Sequence, residues 1–388
     1  MLRVENPSLD HKILFGQPVD FAAVGMNPDG VRRIHDVFQQ QLASQEHWAA
    51  QLVVLRHGRV VVDVAGGLAH KRSRRLATQD TLFHCFSISK SFTAVCIHHL
   101  VEQGKVELDA PIATYWPAFG SKGKETATVR HALLHQSSVP TKGIYGQIRH
   151  WPNWARVTKN VAQLRAEFPP GERTAYHLVN NGFILGEIVQ RVTGTPIEAY
   201  LTEHFLTPMG LYDTSIGLPL ARWGEAAHIY CGDLSQRGIA WVFNLPRIRS
   251  AVMPASTLNS TARDLAIFFQ MLINQGAYDG QRYLQAETIQ AATQLYYEGY
   301  DGTLEDQTRW GLGFMLGGIK RENQPLGIGM GAKSSLTTIA HYGQNSSMVW
   351  GDAAQNLVVA FVTNRLQERD RTIQRFHDVS ETVWAALV

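Results

Sequence analysis

Strand-forming sequence lies near both ends of this chain, and helix-forming sequence lies between them. Residues 50–67 hold two β-branched runs around His57-Gly58, the pattern of a β-hairpin. Comparable short, apolar, turn-bounded runs return only at 309–317, 337–344, 346–352 and 356–364. Amphipathic helices are predicted outside them. One covers 28–45, with Val31, Ile34, Val37, Phe38 and Leu42 inward; the other covers 371–387, with Ile373, Phe376, Val379, Val383 and Leu387 on one face. The middle reads as helices, among them 183–192 and a capped one over 259–276. Strands so far apart in sequence must meet in one sheet. The expected fold is therefore α+β: an antiparallel sheet flanked by the N- and C-terminal helices, with a mostly α-helical inserted domain. The boundaries fall at 1–85 plus 306–388 for the sheet domain and 86–305 for the helical one, with the site between them.

A 388-residue chain that is 45% hydrophobic and 18% charged can bury a sizeable core. A net charge of +3 is too mild to imply a nucleic-acid partner. The basic cluster His70-Lys71-Arg72-Ser73-Arg74-Arg75 reads as a solvated loop, with an anion or nucleic-acid patch as the alternative. No secretory leader and no membrane-spanning run is visible. Cys85, Cys96 and Cys231 are odd in number, and reduced thiols in a cytoplasmic protein are expected.

Residues 83–104 carry the chemistry. A short apolar run ends at Phe86, and an apolar helical pattern follows, stopping at Gly104. Apolar residues lie nearly all round, so the helix should be buried. Ser87 at its start and Lys90 three residues on share a face at the positive end of the helix dipole. This S-x-x-K spacing is one way to turn a serine into a nucleophile. From spacing alone an N-cap serine beside a surface lysine is an equal reading. A second match, Ser121 with Lys124, lies in a polar stretch with no apolar helix behind it.

Other motifs fall away on inspection. His131 and His135 stand at i, i+4, but Ala132 replaces the acid of a zinc helix and no third ligand follows. Residues 327–335 lack the glycine before the lysine of a phosphate loop, and no G-x-S-x-G occurs. Neither a metal nor a cofactor is expected. The long stretch 139–175 reads as a binding loop in which Tyr145, Trp151 and Trp154 either wall a pocket or pack the loop.

Three stretches, 86–94 (FSISKSFTA), 170–182 (PGERTAYHLVNNG) and 341–347 (HYGQNSS), occur in the order and spacing of the serine β-lactamase-related superfamily. That group includes class C β-lactamases, DD-peptidases and family VIII carboxylesterases, and the resemblance runs over about residues 30–388. It implies that Ser87 is the nucleophile and Lys90 its partner, and that Tyr176 is the tyrosine of a Y-x-N motif. It also implies that His341, Tyr342 and Gly343 stand where the family has K-T-G or H-x-G. The N–H groups of Ser87 and Gln344 would then form the oxyanion hole, where one donor is typically worth about 3–4 kcal/mol. Either a neutral Lys90 or a Tyr176 tyrosinate could take the Ser87 proton.

The departures from the family pattern carry information. Leu178 replaces the asparagine of Y-x-N, and His341 replaces the lysine of K-T-G. A histidine offers no permanent charge to a carboxylate. With no leader visible, these features point to a carboxylesterase acting on small, neutral esters, with no nucleic-acid or membrane partner. A β-lactamase, a D-amino-acid peptidase, an acyltransferase and an inactive scaffold are the competing readings. Trp241, Phe243, Trp310 and Tyr342 are candidate walls of an acyl pocket, with ordinary core packing as the alternative.

Overall fold

The hairpin at 50–67 forms as two strands, Ala49–Arg56 and Arg59–His70. Its turn residues His57 and Gly58 both take positive φ, the hand that matches strand twist. These strands sit near one end of a nine-stranded antiparallel sheet in a computed structural model that describes residues 11–139, 145–318 and 329–388. Across the sheet the order is Tyr297–Asp301, Asp306–Trp310, Met315–Leu316, Thr338–Gly343, Ser347–Asp352, Leu357–Thr363, Ala49–Arg56, Arg59–His70 and Arg75–Leu76. The two ends of the chain join where Ala50 pairs with Thr363 and Arg56 with Leu357.

Both faces of the central strands are buried, and the period-two pleat divides each strand between two cores. Leu357, Val359 and Phe361 enter one core together with Ala50, Leu52 and Val54. The helices Pro28–Ala43 and Arg369–Ala385 cover that side with Ile34, Phe38, Phe376 and Val383. Val358, Ala360 and Val362 enter the other core. There the helix Ala262–Ile273 lies on the sheet, and its Phe268 stacks on Phe92 of the helix Ser89–Glu102 at 3.7 Å. Each large side chain buried this way stabilises the fold by about 1.5–3 kcal/mol. The helix Ser89–Glu102 is enclosed nearly all round, as apolar residues spread around its surface predict.

Local signals set the element ends. Asn27 caps Pro28–Ala43 by accepting from the Asp29 and Gly30 N–H groups, and Thr261 caps Ala262–Ile273 by accepting from Asp264 N–H. Thr128 and His131 form a capping box on the short helix Val129–Leu133. The run at 309–317 is two strands, broken where Gly313 takes a φ of 91°. The sheet also reaches upstream of residue 306, because Tyr297–Asp301 pairs along Asp306–Trp310. Helix Ala262–Ile273, from the inserted span, packs directly on the sheet, and one core joins both parts of the chain.

Candidate active site

The strand Phe83–Phe86 ends in a residue with a φ of 46°, Phe86, and the chain then turns into the helix Ser89–Glu102. A bulky side chain in this region of backbone space is strained and must be held by its surroundings. Here Ile88 N–H donates to the Cys85 carbonyl and Ser89 Oγ donates to the Phe86 carbonyl at 2.6 Å. The turn leaves Ser87 partly exposed, while Lys90 is buried one turn on.

Lys90 Nζ lies 3.1 Å from Ser87 Oγ and donates to the carbonyls of Leu178 at 2.9 Å and Ala255 at 3.0 Å. Among the described residues no carboxylate pairs with it, and burial holds its amine well below the usual lysine range. A neutral amine has two N–H donors and one lone pair. The two carbonyls take the donors, so the lone pair faces the Ser87 hydroxyl. The protonated amine finds three acceptors in the same place, so the geometry accepts both proton states. Ala255 reaches this position because Gly182 has no side chain: a Cβ there would lie 2.3 Å from Ala255 N. The sequence carries no sign of Ala255, which acts through its carbonyl alone.

Tyr176 is buried beside this pair. It lines the same cavity as Ser87, and Lys90 Nζ stands 4.7 Å from its ring centroid. Burial pushes the phenol up from its usual value; the nearby Ser87 side chain opposes this and the Asp301 carboxylate adds to it. Asp301 Oδ1 accepts from Tyr176 N–H at 3.0 Å, and from the Thr303 and Leu304 N–H groups at 2.9 and 3.0 Å. That carboxylate ties the tyrosine loop to the outermost hairpin of the sheet. Trp310 stacks on Tyr176 at 5.8 Å and is fully buried behind it, outside the cavity wall.

The strand Thr338–Gly343 closes the other side. A Cβ on Gly343 would lie 2.1 Å from the Cys85 carbonyl oxygen, so glycine lets the strand touch the nucleophile turn. Ser347 Oγ donates to the same carbonyl at 3.2 Å. Among the described residues, neither the Ser87 nor the Gln344 N–H donates within the protein. His341 is buried, and its ring sits 6.4 Å from that of Tyr176. Its Nδ1 donates to the Tyr342 carbonyl at 2.9 Å, which leaves Nε2 as the unprotonated nitrogen. Burial, aided by nearby Lys90, pushes the ring down to about 3, so it is neutral at pH 7.

These groups open on a cavity of about 320 Å³. Ser87, Tyr176, Leu178, His341, Tyr342 and Gln344 line it, so the structure gathers most of the residues singled out in the sequence. Leu304, Met315, Ile373 and Phe376 make the rest of its apolar wall; Phe376 stacks on Tyr342 at 6.1 Å. Arg369 also lines it, paired with Asp306 at 2.6 Å. Ile373 and Phe376 were visible in the sequence as the inner stripe of the last helix, but nothing marked that stripe as reaching a cavity.

Other candidates lie elsewhere. Phe243 packs on His84, Phe86 and Trp151, and Trp241 is 66% exposed on the surface. Trp154 donates to Glu187 at 2.7 Å, and the side chain of Tyr145 falls outside the described residues. His131 serves its helix cap, while His135 packs on Tyr176 at 4.5 Å and accepts from His177 N–H. Among the described residues no three metal-ligating side chains cluster, and no helix is long and apolar enough to cross a membrane. The loop at 327–335 begins in residues outside the described set.

A serine at the head of a buried helix, set between an antiparallel sheet and a helical insertion, is the architecture of β-lactamases and penicillin-binding proteins. The chain belongs to the beta-lactamase family, whose model matches residues 34–381. It is 27% identical to the esterase/beta-lactamase LipL of Mycobacterium tuberculosis, over 90% of this chain and 87% of that protein. A penicillin-binding protein homologue from Caulobacter crescentus superposes with a TM-score of 0.77 at 27% identity, covering 92% of this chain and 99% of that one. A family VIII carboxylesterase shares the fold, with a TM-score of 0.80 at 24% identity, covering 94% and 99%. The chain is thus a member of a family of serine hydrolases that includes esterases and peptidases.

Proposed function

We propose that this protein hydrolyses small, neutral carboxylic esters through an acyl-enzyme on Ser87, with Lys90 as the general base. The observation that carries the base assignment is the Lys90 amine, buried without a carboxylate and held by two carbonyls with Ser87 Oγ at 3.1 Å. Ser87 gives its proton to Lys90 Nζ as Oγ attacks the ester carbonyl. The Ser87 and Gln344 N–H groups receive the oxyanion. Tyr176, a neutral phenol, passes the proton to the departing alkoxide. Water then attacks the acyl-enzyme by the same route, releasing the acid and restoring the serine.

The ester preference rests on the walls. Leu178, Leu304 and Met315 favour an apolar acyl chain, and a neutral His341 supplies no cation where a β-lactam carboxylate would bind. Arg369 favours the competing reading, a peptidase or β-lactamase taking an anionic substrate, but Asp306 already engages it. The test compares hydrolysis of p-nitrophenyl butyrate and a chromogenic cephalosporin by wild type and Ser87→Ala. Fast ester turnover, slow cephalosporin turnover and loss of both in the variant are expected. A cephalosporin rate above the ester rate would overturn the reading.

A further inference from the structure

A second cavity of about 320 Å³, away from Ser87, is lined by His70, Ser73, Arg75, Trp223, His228 and Arg249, among others. Three of these belong to the basic cluster at 70–75, which the active site leaves unused. Arg249 is buried at 1% exposure. Its Nε donates to Asn259 Oδ1 at 2.9 Å and its Nη1 to the Ala227 carbonyl at 2.7 Å, while its buried Nη2 has no hydrogen-bond partner among the described residues. Arg75 donates to the next carbonyls along the same segment, those of Glu225 at 3.3 Å and Ala226 at 2.6 Å. Among the described residues neither guanidinium pairs with a carboxylate, and none lines the cavity. Glu225 turns its carboxylate to Arg222 instead. The Trp223 ring, 5.8 Å from the Arg249 guanidinium, offsets part of the charge.

The remaining polar side chains are largely engaged: Asn244 Nδ2 donates to the Ile229 and Ala240 carbonyls at 2.7 and 2.8 Å, its Oδ1 accepts from Ile229 N–H at 3.0 Å, and the Ser73 hydroxyl lies 2.8 Å from His70 Nδ1. Ser73 N–H donates to His70 Nδ1 at 3.2 Å, so the proton of that ring sits on Nε2. The His228 ring packs edge-on to His70 at 5.5 Å. Two guanidiniums and two imidazoles thus meet here with no carboxylate among the described residues that line the cavity. Burying a charge without a counter-charge is costly, and the arginine fork suits tetrahedral or planar oxyanions. Burial lowers Arg249 to about 9, which still leaves it charged at pH 7.

We infer that this cavity binds a small oxyanion, a phosphate or the phosphate head of a monoester, between Arg75 and Arg249. The cavity, about 320 Å³, has room for one phosphate and a small substituent on it. The test is calorimetric titration of the full chain with inorganic phosphate and, separately, glycerol phosphate, at constant ionic strength set by chloride. Saturable binding is expected, weakened about tenfold or more in Arg75→Ala, a half-buried position whose loss leaves cooperative thermal unfolding and ester turnover intact. His228→Ala provides a second, independent variant with a smaller loss. Tighter binding of glycerol phosphate identifies a monoester ligand, and tighter binding of phosphate identifies the free ion; both support the site. No saturable binding of either, or equal binding by wild type and both variants, would overturn it.

Discussion

Lys90 and Arg249 meet the same problem in two parts of the molecule. Each is a cation buried without a carboxylate, held by backbone carbonyls: Leu178 and Ala255 for the lysine, Ala227 for the arginine. The answers differ because the groups differ. An amine can shed its proton when water is withdrawn, while a guanidinium keeps its charge. On the proposed function, desolvation makes Lys90 a base with a free lone pair, while it leaves Arg249 a fixed charge whose Nη2 has no hydrogen-bond partner among the described residues. The proposed roles differ accordingly: general-base catalysis in one place and anion binding in the other.

The sharpest way to break this comparison is to exchange the chemistry. Lys90→Arg keeps the charge and removes the lone pair, so ester kcat should fall about 10²–10⁴-fold, and Lys90→Met by a similar factor. Steady-state rates decide this, and retention of activity by the arginine variant would end the general-base assignment. The next effect concerns pH. Below the depressed Lys90 value the amine is protonated in both folded and unfolded chains. Between that value and the ordinary lysine value of about 10.4, only the unfolded chain carries the proton. The free energy of unfolding should thus climb with pH through that window, and the climb should flatten in Lys90→Met, as read by urea melts across alkaline pH. Ester turnover should rise with pH through the Lys90 value for the same reason.

Smaller effects test the other half. Arg249→Lys places a neutralisable amine in the second cavity, and phosphate affinity should drop about tenfold with ester turnover unchanged. Calorimetry on the folded variant measures this. The smallest effect belongs to Trp241→Ser. This exposed side chain lies away from both cavities, so ester kcat/KM should stay within about twofold and stability within about 0.5 kcal/mol.

The outline of both regions was legible before any coordinates, though unequally. Hydrophobic period marked the hairpin at 50–67, the flanking helices and the late strands, because a buried face must repeat with the element that carries it. The Ser87 helix announced itself through an apolar surface that only an interior could accept. Ser87, Lys90 and Tyr176 could be singled out because their side-chain types suit the proposed chemistry. Trp310 and Phe243 were harder: an aromatic residue has the same identity in a cavity wall as in a core. The basic cluster at 70–75 read as a solvated loop because its partners, Arg249 and His228, are more than 150 residues away.

What the sequence by itself determined is therefore local and periodic: the strands and helices, their caps, and a serine with a lysine one turn on. What the tertiary structure decided is environment. Whether Lys90 is a base depends on the Leu178 and Ala255 carbonyls and on the absence of a nearby carboxylate. A carbonyl is common to every residue, and burial is a sum over distant segments, so neither leaves a mark in the order of the side chains.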